Sequence, residues 1–560
     1  MTDQKFSRMI AFFIAVVTVF AAVIAQLETV AGDNDDRAGR DARAASVEAF
    51  GLQVQGDSKS NYHYYTSYEQ YRELETLRDT AEKRGDQKAA ERFEVMRDNL
   101  LDISPLLSGK DPEGKAYFDP TSDAEPDVAR FEANTYVGEV HRLDQVFKAA
   151  SVVKNAWDSK ANTYIVHITL LAVALFLFGL AGTIATRATR GIFTIGGLFI
   201  TGIAVLWAFK TWSEPVYDLR AQGKAIEHYA KGMALMHMDR PEDALKEFDA
   251  AISDAPLYTE AYLDRGRALQ QQEKADLTAA LESLQKARSL DPRNSMVWLE
   301  IGWVQYQLGQ FQPAIESCQA GLAAAPDSLD CRLLLGLTLL ASGKKAEATA
   351  EFDKALKQAA DTVAELTKAA GEVQAPEEIV ATLEEASVEL DGLATVIYTK
   401  NGEPPVDKIV GGEETAKAAE ELSSKLVSWE LALQDTGKPP EGELTAKLSE
   451  LEFAAIVEGK TVEPFEGNRF LGPASQMEMG CTYSGMKDGQ VVTTRFFLDS
   501  AELDSWRWTE TWKEGAEGTM EDVCYPGYSD NFVFQPGDYV VEVFVDYKLA
   551  TTGEFVIEEP

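Results

Sequence analysis

Three stretches of the chain carry almost no polar side chain: Met9 to Leu27, Thr163 to Ile184 and Gly191 to Phe209. Each supplies the roughly 20 residues a helix needs to cross a hydrocarbon layer. Between the first two, residues 28–162 read as helical. Val140, Leu143, Phe147 and Ala150 recur at three- and four-residue steps, Trp157 follows slightly out of phase, and no breaker intervenes before the second apolar run. This predicts one long helix with a coiled-coil seam leading into the membrane segment. Upstream, helical stretches are expected to end near Gly51–Gly56, near Gly85 (with Asp86 as the next N-cap) and near Pro105. Residues Ser108 to Pro126, rich in Gly, Pro and Asp, read as the loop before the last leg. A chain that leaves a membrane and returns needs an even number of legs, so a hairpin or four-helix bundle is expected here. The cluster Tyr62, Tyr64, Tyr65, Tyr68 and Tyr71 has helical spacing and is read as bundle core.

After the third run the period changes. Gly232, Gly266, Gly302 and Gly336 recur about every 34 residues, followed in step by Ala244, Ala280, Ala314 and Ala348, and Pro256, Pro292 and Pro326 close successive units. Phe248, Leu284, Cys318 and Phe352 hold the position of one larger side chain per unit. This grammar resembles the tetratricopeptide repeat family over residues 214–360, four helix pairs in which small residues let two helices approach. The resemblance implies a partner-binding groove lined by the first helix of each pair. Carried onto this sequence, the groove positions include Tyr229, Met233, Met236, Arg267, Gln270, Trp303, Tyr306 and Leu337. Members that grip a terminal carboxylate use Lys and Asn where Tyr229 and Met233 stand here, so that clamp is absent. The groove reads as apolar and aromatic, suited to a hydrophobic peptide or helix. The alternative is that the chain's own next segment fills it.

Ile379, Leu383, Leu390, Leu393 and Ile397, then Leu422, Leu426, Trp429 and Leu433, then Leu444, Leu448, Leu451 and Ala455 predict three further helices, an acidic bundle over 361–460 that caps the repeats. From about Val462 the period switches to two. Strand-like runs are Met477–Tyr483, Gln490–Leu498, Ser505–Trp512, Asn531–Phe534, Asp538–Tyr547 and Glu554–Ile557, so 461–560 reads as a β-sandwich. The closing run PGDYVVEVFVDYKLATTGEFVI resembles the last hairpin of immunoglobulin-like domains on secreted bacterial proteins. The fold class is thus a multidomain membrane protein. Its expected parts are an N-terminal transmembrane helix or signal anchor (1–27), a helical bundle or coiled-coil stalk (28–162), a transmembrane hairpin (163–209), four repeats (214–360), the acidic bundle and the sandwich.

Charge narrows the partners. The 560 residues hold 91 acidic and 53 basic side chains, a net −38, and 361–560 alone hold 41 acidic against 14 basic. Such a field repels nucleic acid and anionic headgroups. The loop between the second and third runs contains Arg187 and Arg190, and Lys5 and Arg8 precede the first run. Positive residues favour the cytoplasm, so residues 28–162 and 210–560 are expected outside, at the cell envelope. Four cysteines lie apart from all five histidines, and no metal ligand set or cofactor motif appears. They are four thiols or two disulfides: Cys481 with Cys524 and Cys318 with Cys331 are the pairs an oxidising compartment would favour. No phosphate-binding glycine loop, HExxH or GxSxG is present, so no enzyme is expected. Trp506, Trp508 and Trp512 alternate along a strand; they form a sandwich core or, alternatively, a glycan-binding face. The expected function is a membrane-anchored extracytoplasmic scaffold for a protein or peptide partner, embedded through three helices, with self-association left open. A structural or glycan-binding envelope protein is the alternative.

Overall fold

The computed structural model describes residues 3–558 except 123, 371–374, 458, 459, 463, 465, 466, 473, 500, 504, 505 and 525–533. The chain divides into two compact units, Met1–Pro292 and Arg293–Pro560.

In the first unit, α1 (Asp3–Asn61) passes through a wider π-helical turn, Tyr62–Tyr68, into α2 (Glu69–Lys83). A turn at Gly85, φ 76°, leads to α3 (Gln87–Ile103), whose first turn is capped by Asp86 accepting from the Ala89 N–H at 3.1 Å. Pro105 opens the short α4 (Pro105–Ser108). The return leg is α5 (Val128–Glu132), a π-helical turn, and α6 (Gly138–Thr183), which runs antiparallel to α1: Asp35 pairs with Lys154 and Phe13 meets Phe178. The seam is heptad-spaced. On α1, Ile10, Val17, Ile24, Ala31, Ala38 and Ala45 are buried at every seventh position; α6 answers with Leu143, Ala150, Tyr164, Leu171 and Phe178. Alanine in the polar half brings the helices close, and larger side chains fill the apolar half.

The expected break at Gly51–Gly56 does not occur. A Cβ on Gly56 would lie 2.3 Å from the Tyr136 ring, so this glycine lets the return leg cross an unbroken helix. The outcome is two long legs with a side hairpin of α2 and α3, not a four-helix bundle. Tyr68 and Tyr71 are buried against Leu107 and Phe118, while Tyr62 and Tyr65 face outward, so the tyrosine cluster is core in part. After residues 184–186, α7 (Arg187–Ser213) packs back on α6, with Gly197 admitting the Phe178 ring. Three helices of this unit are long and apolar enough to cross a membrane: the α1–α2 helix, the α5–α6 leg and α7. Two helix pairs follow, α8 (Gly223–His237) with α9 (Pro241–Asp254) and α10 (Thr259–Gln270) with α11 (Leu277–Leu290). The recurrent glycines act as the spacing implies. A Cβ on Gly232 would meet Phe248 at 2.5 Å, and one on Gly266 would meet Leu284 at 2.7 Å.

The second unit opens with two more pairs, α12 (Ser295–Gln307) with α13 (Phe311–Ala324) and α14 (Leu329–Ala341) with α15 (Lys345–Ala370). Gly302 faces Cys318 and Gly336 faces Phe352 in the same way. Then come α16 (Glu377–Thr399) and α17 (Glu413–Thr436), which share one core with α14 and α15. The third predicted bundle helix is absent: Leu448 and Ala455 belong to strands. Leu451, Phe453 and Ala455 are buried at alternate positions, a period of two that the wider leucine spacing masked. The β-rich part therefore begins near residue 447, not 461. One sheet comprises β1 (Lys447–Leu448), β2 (Glu452–Val457), β3 (Lys460–Val462), β5 (Gln476–Ser484) and β9 (Glu517–Cys524). The other comprises β4 (Arg469–Leu471), β6 (Val491–Leu498), β7 (Ala501–Glu502), β8 (Trp508–Thr511), β10 (Gly537–Val545) and β11 (Lys548–Glu558). Pairing is antiparallel except β4 with β11, and side chains of both sheets build a common core. Strand β9 lies outside the strand-like runs expected from the sequence, and the predicted strand Asn531–Phe534 lies, but for Phe534, outside the described residues.

Candidate binding groove

In the first unit the groove positions meet α6. Tyr229 is buried and its hydroxyl donates to Asp264 Oδ2 at 2.6 Å; Arg267 Nη1 holds Asp264 Oδ1 at 3.0 Å. Tyr229 packs on Tyr258 with ring centres 5.2 Å apart, and Met233 and Met236 are half-buried against the same cluster. Gln270 is half-buried one turn beyond Arg267. Along α6, Gly138 lies against Ala230 and Ala234, His141 sits among Asp264, Asp144, Lys148 and His237, and Gln145 Oε1 accepts from the Tyr258 hydroxyl at 3.0 Å. Burial pushes the Tyr229 hydroxyl and the Glu260 carboxyl above their usual values and pulls His141 below its own. A helix seated by small-on-small packing and fixed by a buried hydrogen bond is a bound ligand in all but covalent terms. The occupant is the preceding segment, not the following one.

In the second unit the following segment does the filling. Trp303 is half-buried and stacks on Tyr306 with ring centres 5.5 Å apart; Tyr306 is buried and faces Glu389 of α16. Leu337 lies in the core that includes Leu390, Leu393 and Ile397. Residues 402–412 cover the turns: Lys408 and Pro405 approach Gly309, Val410 approaches Gly343, and the Val410 N–H donates to the Ala341 carbonyl at 2.9 Å. Burial, with Glu385 adding, pushes the Glu389 carboxyl up to about 7.

The remaining candidates turn inward. Trp512 is buried, its Nε1–H donating to the Gly515 carbonyl at 2.8 Å, and Trp506 and Trp508 pack on Phe534 and Phe496, so the three rings form no outward platform for a sugar. The disulfide pairs are corrected as well. Cys318, Cys331 and Cys481 are buried free thiols. Cys481 stands opposite Met520, whereas Cys524 (whose side chain is outside the described residues) stands opposite Met477, four residues along the same ladder. At about 3.3 Å per residue the two Cα atoms are well beyond bridging range.

One arrangement had no signal in the sequence. Where α17 meets the second sheet, Arg495 is buried between Glu502, its ion-pair partner, and Glu542 at 3.6 Å; Arg507 reaches Glu502 at 2.8 Å and Gln434 at 3.1 Å. Glu430 of α17 is buried beside them, and Phe544 packs on Val427 and Leu431. Burial pushes Glu430 and Glu542 up to about 7 against the pull of Arg495.

Residues 229–277 and 271–329 match the tetratricopeptide repeat family. This part of the chain is tetratricopeptide repeat. No curated protein matches the sequence. Among solved structures, MamA is 20% identical, covering 31% of this chain and 95% of its own at a TM-score of 0.23. YrrB, described as a TPR protein with an unusual peptide-binding site, is 18% identical, covering 36% of this chain and 89% of its own at 0.24. The Pseudomonas fluorescens alkylpurine DNA glycosylase AlkC, bound to DNA containing an abasic site analog, is 13% identical over 60% of this chain and 91% of its own at 0.23. Likeness of that size carries no argument about the activity of this chain.

Proposed function

We propose that the protein is a membrane-anchored scaffold whose repeats face the extracytoplasmic side and serve protein–protein interaction at the cell envelope. The observation that carries this reading is the outward face of the three apolar helices. Phe12, Val19, Phe176, Ile192, Ile195, Phe199, Leu206 and Phe209 all stand exposed there, a band no soluble surface tolerates and a bilayer would cover. Arg187 and Arg190 at the α6–α7 link, with Lys5 and Arg8, support placing that end in the cytoplasm. The repeats then act in two ways. Within the first unit their concave face grips α6, the extension of the anchor, and within the second it grips α16–α17. The outer faces of the repeats, and the strongly acidic segment that follows residue 361, remain for a partner. The test is sidedness. A single cysteine placed in the 436–441 turn, which follows α17, should react with an impermeant maleimide on intact cells, because the described native cysteines are buried. Protection until the cells are lysed would reverse the topology.

A further inference from the structure

Besides the seam it gives to α6, α1 carries a second heptad stripe on its opposite face. Phe12, Val16, Val19, Val23 and Val30 follow each other in alternating steps of four and three, with Gln26 filling the gap. Continued without a change of phase, the same steps pass Asp33, Arg37 and Arg40 and arrive at Ala44, Val47, Gly51 and Val54. The stripe is uncovered: Phe12 is 64% exposed, Val19 63%, Val47 73% and Val54 51%, and nothing lies within 4 Å of a Cβ built on Gly51. At 1.5 Å per residue, Ala44 to Val54 stand roughly 20 to 35 Å beyond Val30, out of reach of any lipid that covers the first part. One occupant that follows both halves in one phase must itself be a helix that crosses with α1 and continues outward.

We propose that this occupant is α1 of a second copy, packed in parallel about a two-fold axis along the helix. Two copies inserted the same way have parallel α1 helices, which a two-fold axis along the membrane normal relates. In such a pair each layer sets a residue against its own counterpart, and the alternating steps put Arg37 in the layer after Asp33, within diagonal reach of the Asp33 of the other copy. Among the described residues no ion pair within the chain engages Asp33, Arg37 or Arg40, although neighbouring Asp35 and Asp41 are paired with Lys154 and Arg220. Ala44 and Gly51 give alternate layers the small side chains that let two backbones close up. For Phe12 to Val30 the inference rests on the membrane reading; for Ala44 to Val54 it does not.

The experiment is disulfide crosslinking of the full chain, in membranes and after detergent extraction, with one cysteine at a time. Val47→Cys and Val54→Cys should give covalent dimers on oxidation, while Ser46→Cys and Lys59→Cys, exposed but out of phase, should not. In light scattering, the unsubstituted protein in detergent should have the mass of two chains, and Val47→Asp with Val54→Asp the mass of one. Equal crosslinking at all four positions, none at any, a single-chain mass for the unsubstituted protein, or a stoichiometric different protein at Val47 would overturn the proposal. Crosslinking at Val47 and Val54 in a protein absent from the membrane fraction would leave the dimer standing and overturn the membrane reading alone.

Discussion

At the scale of single residues, the repeats depend on what is missing from four glycines. A methyl group on Gly336 would stand 2.8 Å from the Phe352 ring, and Phe352 is fully buried with no room to retreat. Gly336→Ala should therefore destabilise the second unit by about 1–3 kcal/mol, and Phe352→Leu in the same chain should recover part of it. Urea titration followed by circular dichroism checks this; an additive loss in the double variant would count against the contact. Charge buried at the α17–sheet contact gives a pH dependence of definite sign. The Glu430 carboxyl titrates near 7 in the folded protein against an ordinary 4.5, because burial there disfavours its anion more than Arg495 and Arg507 favour it. The folded form then holds a proton that the unfolded form has lost. Stability from this site is complete below about 4.5 and falls as the pH rises through about 7. Glu430→Gln should raise the melting temperature at pH 8, by an amount set by no more than ~3 kcal/mol, and leave it nearly unchanged at pH 4. A gain of equal size at both values would show that the charge is not responsible.

At the scale of elements, the helices that fill the grooves govern what the repeats can bind. A Cβ built on Gly138 would already touch the Ala234 Cβ at 3.7 Å, so the larger Gly138→Leu side chain has no space between α6 and α8. Hydrogen exchange should accelerate over α8 and α10 in this variant, at a cost of roughly 1–3 kcal/mol, while α14 and α15 of the other unit stay protected. Faster exchange throughout both units would instead indicate general unfolding. The repeats themselves were legible in the sequence because Gly232, Gly266, Gly302 and Gly336 answer a local need that recurs with every helix pair. Their ligands were not. Nothing about Gly138, His141 or Gln145 marks them as groove-filling, since their roles arise from residues more than 85 positions later, such as Ala230 and Tyr258. The third bundle helix failed for a different reason. Leu444, Leu448, Leu451 and Ala455 fit a helical period, yet the cross-strand pairing of Phe453 with Met479 and Ala455 with Met477 decides in favour of strand.

At the scale of the whole molecule, the thiols report on folding rather than on compartment. Cys318, Cys331 and Cys481 are buried, and burial pushes the Cys481 thiol up to about 11. All three should resist alkylation in the native protein and react fully in guanidinium, as mass spectrometry would show; a native disulfide between Cys481 and Cys524 would contradict the fold described. The sequence by itself determined the features with a short period: the three apolar helices, the heptad seam of α6, the repeat grammar and most strands of the last hairpin. These follow from side-chain spacing of two, three to four, seven or about 34 residues, each readable within one window. Only the tertiary structure decided whether α1 breaks at Gly56, which helix lies in which groove, where Arg495 finds its carboxylates and which way the tryptophans turn. Each of these depends on a contact between distant segments whose free energy outweighs local preference, as the Tyr136 ring does at Gly56.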